Sequence, residues 1–220
     1  GQPQPLATGT LITFPADQAT DPYPLWLSGT ENPNPTPSLS YGTYLGGAIS
    51  IESGSNSWLT VSSFELLDAS GSVVPCYEMD SSNDPNKNYI AGNQAFLVPQ
   101  ALLKLGSSYT AVFSGTINGV AAQKTWTFNT PSAQITQVTP GPFTLHNGSS
   151  LTIHFKAPSG TTGYSYSYTR VVAQVSTTQD SITLTLSPNA VTSSGGMSIT
   201  ATDMYYPSVP PITIQVTLAP

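Results

Sequence analysis

The sequence is short of the residues that catalytic and nucleic-acid-binding proteins rely on. Cys76 is its one cysteine, and His146 and His154 are its two histidines. One cysteine cannot close an internal disulfide, so the fold must rest on its core. With Val73, Val74 and Tyr77 beside it, the thiol is expected to be buried. A zinc site needs three or four converging ligands, and no Cys or Glu stands near either histidine in sequence. Only five residues are cationic, and charged residues make up 7% of the chain, against roughly 25% in ordinary soluble domains. Five scattered cations cannot neutralise a run of phosphates, which excludes nucleic acid as a partner. No basic amphipathic helix is available to hold an anionic membrane. No apolar run approaches the ~20 residues of a membrane span, so no membrane insertion is expected. No signal peptide is visible. Gly1-Gln2-Pro3-Gln4-Pro5 reads as a linker or processed end, so the chain is expected to be part of a longer protein with a domain upstream. Helical periodicity is nearly absent too, with one brief helix-like stretch at residues 98–105.

What the sequence does hold is β-structure. Twenty Pro and eighteen Gly interrupt it at short intervals, and seven Phe, eleven Tyr and three Trp are available to fill sandwich cores. Period-two alternation marks residues 58–67, 109–115 and 123–130, the last with Trp126 and Phe128 on one face. Asp68-Ala69-Ser70-Gly71-Ser72 reads as a turn. Asn118-Gly119 between Ile117 and Val120 is the strongest hairpin signal, because a type I′ turn needs positive φ at both central residues. A boundary is expected at 131/132, where a strand ends and Pro131 follows. Beyond it, alternating runs at 135–138, 150–155, 164–168, 170–175, 181–186, 197–201 and 212–218 give about seven strands in about 90 residues, the texture of an immunoglobulin-like sandwich. Residues 21–24 and 31–37 carry too many prolines to join a ladder. They are expected to be extended loops lying over a sheet, with Tyr23, Leu25 and Trp26 as anchors. The fold class is therefore all-β, two tandem immunoglobulin-like β-sandwich domains over 1–131 and 132–220. The charge is uneven: the first domain holds nine acids against Lys87, Lys104 and Lys124, and the second is neutral.

Several stretches of the first domain occur together in a known group. They are Glu31-Asn32-Pro33-Asn34-Pro35; Gly46-Gly47-Ala48-Ile49-Ser50-Ile51; Phe64-Glu65-Leu66 with Gly71-Ser72-Val73-Val74-Pro75; Asn93-Gln94-Ala95-Phe96-Leu97-Val98-Pro99; Leu105-Gly106-Ser107-Ser108-Tyr109-Thr110-Ala111; and Thr125-Trp126-Thr127-Phe128-Asn129-Thr130. Residues 14–130 resemble the immunoglobulin-like region that follows the CAP (SCP-like) domain in some bacterial secreted proteins. The resemblance implies an exported bacterial accessory region, extracellular, at the cell surface or periplasmic. The CAP domain itself is not in the chain, so no activity of that domain carries over. Tyr109 is expected to cap the core with its hydroxyl on a backbone group, as in a tyrosine corner.

No catalytic residues are assigned. Serines abound, but no nucleophile elbow is present, and a Cys76–histidine pair would have to cross the domain boundary. No cofactor is expected. Two candidate sites remain. Glu78, Asp80 and Asp84 place hard oxygen ligands on one loop, the type calcium takes, although the EF-hand spacing is missing and a solvated turn explains them as well. Tyr164, Tyr166 and Tyr168 share one strand face. Exposed, they would form a platform for a glycan or protein, extended by Tyr205 and Tyr206; buried, they are a core stripe. Asn147-Gly148-Ser149 fits the glycosylation sequon. The favoured function is a non-catalytic adhesion or accessory module for a protein or surface partner. A carbohydrate-binding module using the tyrosine face is the first alternative. A hydrolase with an inter-domain site is the second.

Overall fold

The computed structural model describes residues 9–22, 24–168 and 174–220. The chain divides into two compact units, Gly1–Ser132 and Ala133–Pro220. No helix occurs among the described residues, and none is long and apolar enough to cross a membrane.

The first unit runs β1 (Leu11–Phe14), β2 (Ala19–Thr20), β3 (Leu25–Leu27), β4 (Tyr44–Gly46), β5 (Ile49–Ser53), β6 (Leu59–Leu67), β7 (Val73–Val74), β8 (Cys76–Asp80), β9 (Gln94–Pro99), β10 (Ser108–Ile117) and β11 (Val120–Asn129). One sheet has the order β1-β5-β9-β8 and the other β2-β11-β10-β6-β7. The first strand splits between the sheets, and its second half, β2, pairs in parallel with the last strand, β11. These are the strand order and crossing pattern of an immunoglobulin sandwich. Ile49, Ile51, Leu66, Leu97, Phe113, Trp126 and Phe128 fill the space between the sheets.

Local chemistry fixes this arrangement. Asn118 and Gly119 adopt φ of 52° and 79° and close the β10–β11 hairpin. The Asn118 side chain then accepts the Trp58 N–H at 2.7 Å, tying the hairpin tip to the start of β6. Strict alternation fails along β6. Ser114 pairs with Ser63 and Gly115 with Val61, so Ser62 is an extra residue. This bulge shifts the phase, which lets Leu59 turn inward on one side of it and Phe64 and Leu66 on the other. Gly115 is required opposite it, because a Cβ there would run into the Thr60 carbonyl oxygen.

The helix-like reading of residues 98–105 is corrected. Val98 and Pro99 end β9, and the residues that follow run as turns toward β10. Their apolar side chains go to different places: Leu103 joins the inter-sheet core, and Val98 packs on the opposite face of its sheet. Tyr109 forms the expected corner. Its hydroxyl accepts the Lys104 N–H at 2.8 Å, while Thr130 Oγ1 donates to the Lys104 carbonyl at 2.7 Å. Tyr109→Phe leaves the Lys104 N–H without that acceptor. It is expected to destabilise the first unit by about 1–2 kcal/mol, read as a lowered denaturation midpoint with an unchanged slope.

The second unit repeats the plan with β12 (Thr136–Gln137), β13 (Phe143–His146), β14 (Ser150–Lys156), β15 (Thr162–Tyr168), β16 (Gln174–Thr177), β17 (Ser181–Thr185), β18 (Gly195–Asp203) and β19 (Ile212–Ala219). Its sheets are β12-β14-β17-β16 and β13-β19-β18-β15. Again the early strand β13 lies parallel to the last strand, β19. Ile153, Phe155, Ile182, Leu184, Met197, Ile199 and Val216 are buried in its core. Residues 170–173 of the expected 170–175 strand lie outside the described residues.

Candidate functional site

The first unit carries a third layer. In β9, Ala95 and Leu97 face the inter-sheet core, while Phe96 and Val98 face the other way. That outer side is covered by the short β3–β4 ribbon and the proline-rich loop. Leu45, Met79 and Val98 are buried there, with Trp26, Leu39, Ala48, Tyr77, Ile90 and Phe96 packed around them. Trp26 anchors this cover as expected, and it does so from a strand shared with the buried Leu25, with Trp26 opposite Leu45. Tyr23 lies outside the described residues.

The cover does not close completely. It leaves a cleft of about 280 Å³ whose lining includes Trp26, Glu31, Pro33, Asp84, Tyr89 and Phe96. Both of its rims are held by named bonds. On one side, Asn34 Oδ1 accepts the Thr36 N–H at 2.9 Å, and the Ser28 and Thr36 hydroxyls meet at 2.9 Å in a buried pair. On the other, Asp84 accepts N–H groups from Asn86, Tyr89 and Ile90 at 2.8, 2.7 and 2.9 Å. Burial alone would raise the Asp84 carboxyl. The three backbone donors outweigh it and hold the group below the usual carboxylate value. Asn86 Nδ2 donates to the Asn34 carbonyl at 2.8 Å and ties the rims together. The Trp26 indole N–H donates to Glu31 Oε1 at 3.1 Å. Tyr89 is 68% exposed at the mouth.

The calcium candidates do not assemble. Asp80 Oδ1 accepts the Ser82 N–H and hydroxyl at 2.7 and 2.6 Å, and Asp84 organises its own turn. Glu78 is half-buried, with Oε2 on Asn83 Nδ2 at 3.2 Å. Burial, followed by the neighbouring Asp80 charge, pushes the Glu78 carboxyl above its ordinary value. Among the described residues no three such side chains gather as metal ligands. Asp80 and Asp84 serve as turn acceptors.

The tyrosine strand β15 is an edge strand. Tyr164 and Tyr166 lie opposite Ala201 and Ile199 of β18, both buried, so the two tyrosines share the inward face at the sandwich margin. Tyr164 packs on Phe155 with ring centroids 5.7 Å apart. Tyr166 is 47% exposed, and a shallow depression lined by Ser165, Ser167, Ser198 and Thr200 lies on the opposite, outward face of the sheet. Tyr168 pairs with Met197, and its side chain lies outside the described residues. Tyr206 is buried and Tyr205 half-buried in the turn after β18, so Tyr206 does not extend an exposed patch.

Cys76 and the two histidines lie apart from the cleft lining. Cys76 is half-buried, and burial pushes its thiol up to about 12. His146 Nδ1 lies 3.2 Å from the Pro220 carbonyl, and His154 Nδ1 lies 3.8 Å from Asp180. The sequon residue Asn147 exchanges two hydrogen bonds with the Val191 backbone, which commits its amide.

No family model and no curated protein matches the chain. Among solved structures, a chimeric titin Z1Z2 functionalised with an exogenous decorin peptide is similar at 14% identity and TM-score 0.40, over 98% of this chain and 99% of that one. The titin A168–A169 substructure aligns at 12% and 0.33, over 93% and 97%. The tandem Ig repeats of Dlar align at 12% and 0.28, over 96% and 97%. The fold assignment rests on the strand order of each unit.

Proposed function

We propose that this chain is a non-catalytic accessory or adhesion module of an exported bacterial protein, of the kind that accompanies CAP domains, and that it engages a protein or surface partner through the first sandwich. The observation that carries the reading is the cleft under the proline-rich cover. It joins aromatic walls, fixed rims and an exposed tyrosine at its mouth, the make-up of a binding site. The surface, poor in charge and rich in Ser and Thr, and the resemblance of residues 14–130 support the exported, bacterial part. The packing of Cys76 against the core, with its thiol pushed up by burial, supports a non-catalytic role.

A second reading is a carbohydrate-binding module, which the half-exposed Tyr166 at the sandwich margin favours. One experiment separates the two. The full chain is immobilised and presented with intact bacterial cells, matrix proteins and insoluble polysaccharides, beside the Tyr89→Ala and Tyr166→Ala variants. The proposal expects retention of a cell or protein target that Tyr89→Ala weakens severalfold and Tyr166→Ala leaves intact. Polysaccharide retention lost only in Tyr166→Ala would install the second reading. Turnover of ester, peptide or glycoside substrates by the purified chain would overturn both.

A further inference from the structure

The cleft's chemistry points to one class of occupant. Its aromatic lining is Trp26, Phe96 and Tyr89, and its charged lining is Glu31 and Asp84; among the described residues no Lys, Arg or His contributes to it. The first unit as a whole holds nine acids against three lysines, so the surrounding field reinforces the local one. The polar donors lining the cleft are the Trp26 indole, the Asn86 and Gln94 amides and the Tyr89 hydroxyl, and two of these are engaged. The Trp26 indole N–H is engaged by Glu31, and the Asn86 amide by the Asn34 carbonyl. The rest of the lining is largely aliphatic, with Pro33, Pro35, Ile90 and Val98 among it, so the groups able to select a ligand are the three aromatic faces and the carboxylates. An organic cation suits that combination, because its charge is attracted to ring faces and its N–H groups donate to a carboxylate. The volume, about 280 Å³, falls at the small end of ligand pockets and fits one long side chain rather than a cofactor.

We infer that the cleft receives a protonated lysine or arginine side chain of a partner protein, with Glu31 as the ion-pairing carboxylate and Trp26 and Tyr89 as the aromatic walls. This deepens the binding reading above and rests on it. Glu31 is exposed and has no partner among the described residues beyond the indole N–H, so its charge is free to pair with an incoming cation. Asp84 contributes field only, since three backbone groups already occupy its carboxylate.

The full chain is titrated with N-acetyl-arginine amide and N-acetyl-lysine amide, and in parallel with their neutral counterparts, the citrulline and norleucine amides. The readout is the indole N–H resonance of Trp26 by NMR. Tetramethylammonium and a set of neutral monosaccharides form two further arms. A saturable shift with the cationic amides and none with the neutral ones is expected. Glu31→Gln should weaken it about tenfold and Tyr89→Ala about threefold or more, both with unchanged thermal midpoints. Equal binding of neutral and cationic amides, or binding of a monosaccharide alone, would overturn the cation assignment and leave a binding cleft. Tetramethylammonium binding tighter than either amide would overturn the side-chain assignment in favour of a free ammonium ligand. No shift with any probe would overturn both this inference and the reading on which it rests.

Discussion

Trp126→Ala should lower the stability of the first sandwich by roughly 3–5 kcal/mol. Trp126 is 1% exposed in β11 and packs against Phe64 with ring centroids 5.8 Å apart; Phe64 in turn meets Phe113 edge-on at 6.0 Å. Removing the indole leaves a hole that two hydrogen-bonded sheets cannot close without breaking register. The chain's three tryptophans, Trp26, Trp58 and Trp126, all belong to this unit. Fluorescence from the other two therefore reports the transition directly in a guanidinium titration. Trp126→Phe separates volume from polarity. The buried indole nitrogen has no hydrogen-bond partner, so phenylalanine relieves a desolvated donor while keeping most of the packing, and should recover more than half of the loss. A cost below about 1 kcal/mol for the alanine variant would show that the sheets collapse onto the gap.

Asp203→Ala should be the corresponding lesion in the second sandwich. Asp203 is buried at the end of β18. Its Oδ2 accepts the Ser159 N–H at 2.8 Å, and its Oδ1 accepts the N–H groups of Tyr205 and Tyr206, both at 2.9 Å. Alanine strands three backbone donors and unseats the turn that buries Tyr206. The expected cost is about 3 kcal/mol, measured as a shifted midpoint by circular dichroism. Asp203→Asn keeps one acceptor oxygen and should cost about half as much. Equal losses in the two variants would place the effect in the negative charge rather than in the bonds.

The fold was legible wherever one strand face is wet. Trp126 and Phe128 alternate with threonines, and Asn118-Gly119 announces its own turn. It was less legible where a strand is covered on both sides. Ala95-Phe96-Leu97-Val98 is a continuous apolar run because β9 has the core on one face and the proline-rich cover on the other. Such a run has no period, and its end passed for helix. The β6 bulge hid in the same way, since one extra serine moves apolar residues into the opposite phase. The cleft was only partly readable. Trp26 was marked as an anchor and Asp84 as a possible calcium ligand, but Tyr89 and Phe96 carried no signal of their own. Only the folding of residues 24–46 over the outer face of β9 brings them together, and that is a long-range event. The unbroken apolar run in β9 was the available clue that a cover was needed.

The parallel seams that join early and late strands bear on how the chain would carry load. In the first unit the seam pairs Ala19 and Thr20 with Phe128 and Asn129, and the Gln18 and Asp21 N–H groups extend it by donating to the Thr127 and Asn129 carbonyls at 2.7 and 3.1 Å. In the second it runs from Phe143 opposite Val216 to His146 opposite Ala219. A pull on the two ends of a sandwich draws such strands past each other lengthwise, so their bonds resist together instead of opening singly. On that geometry each unit resists tension through a seam that must shear as a whole.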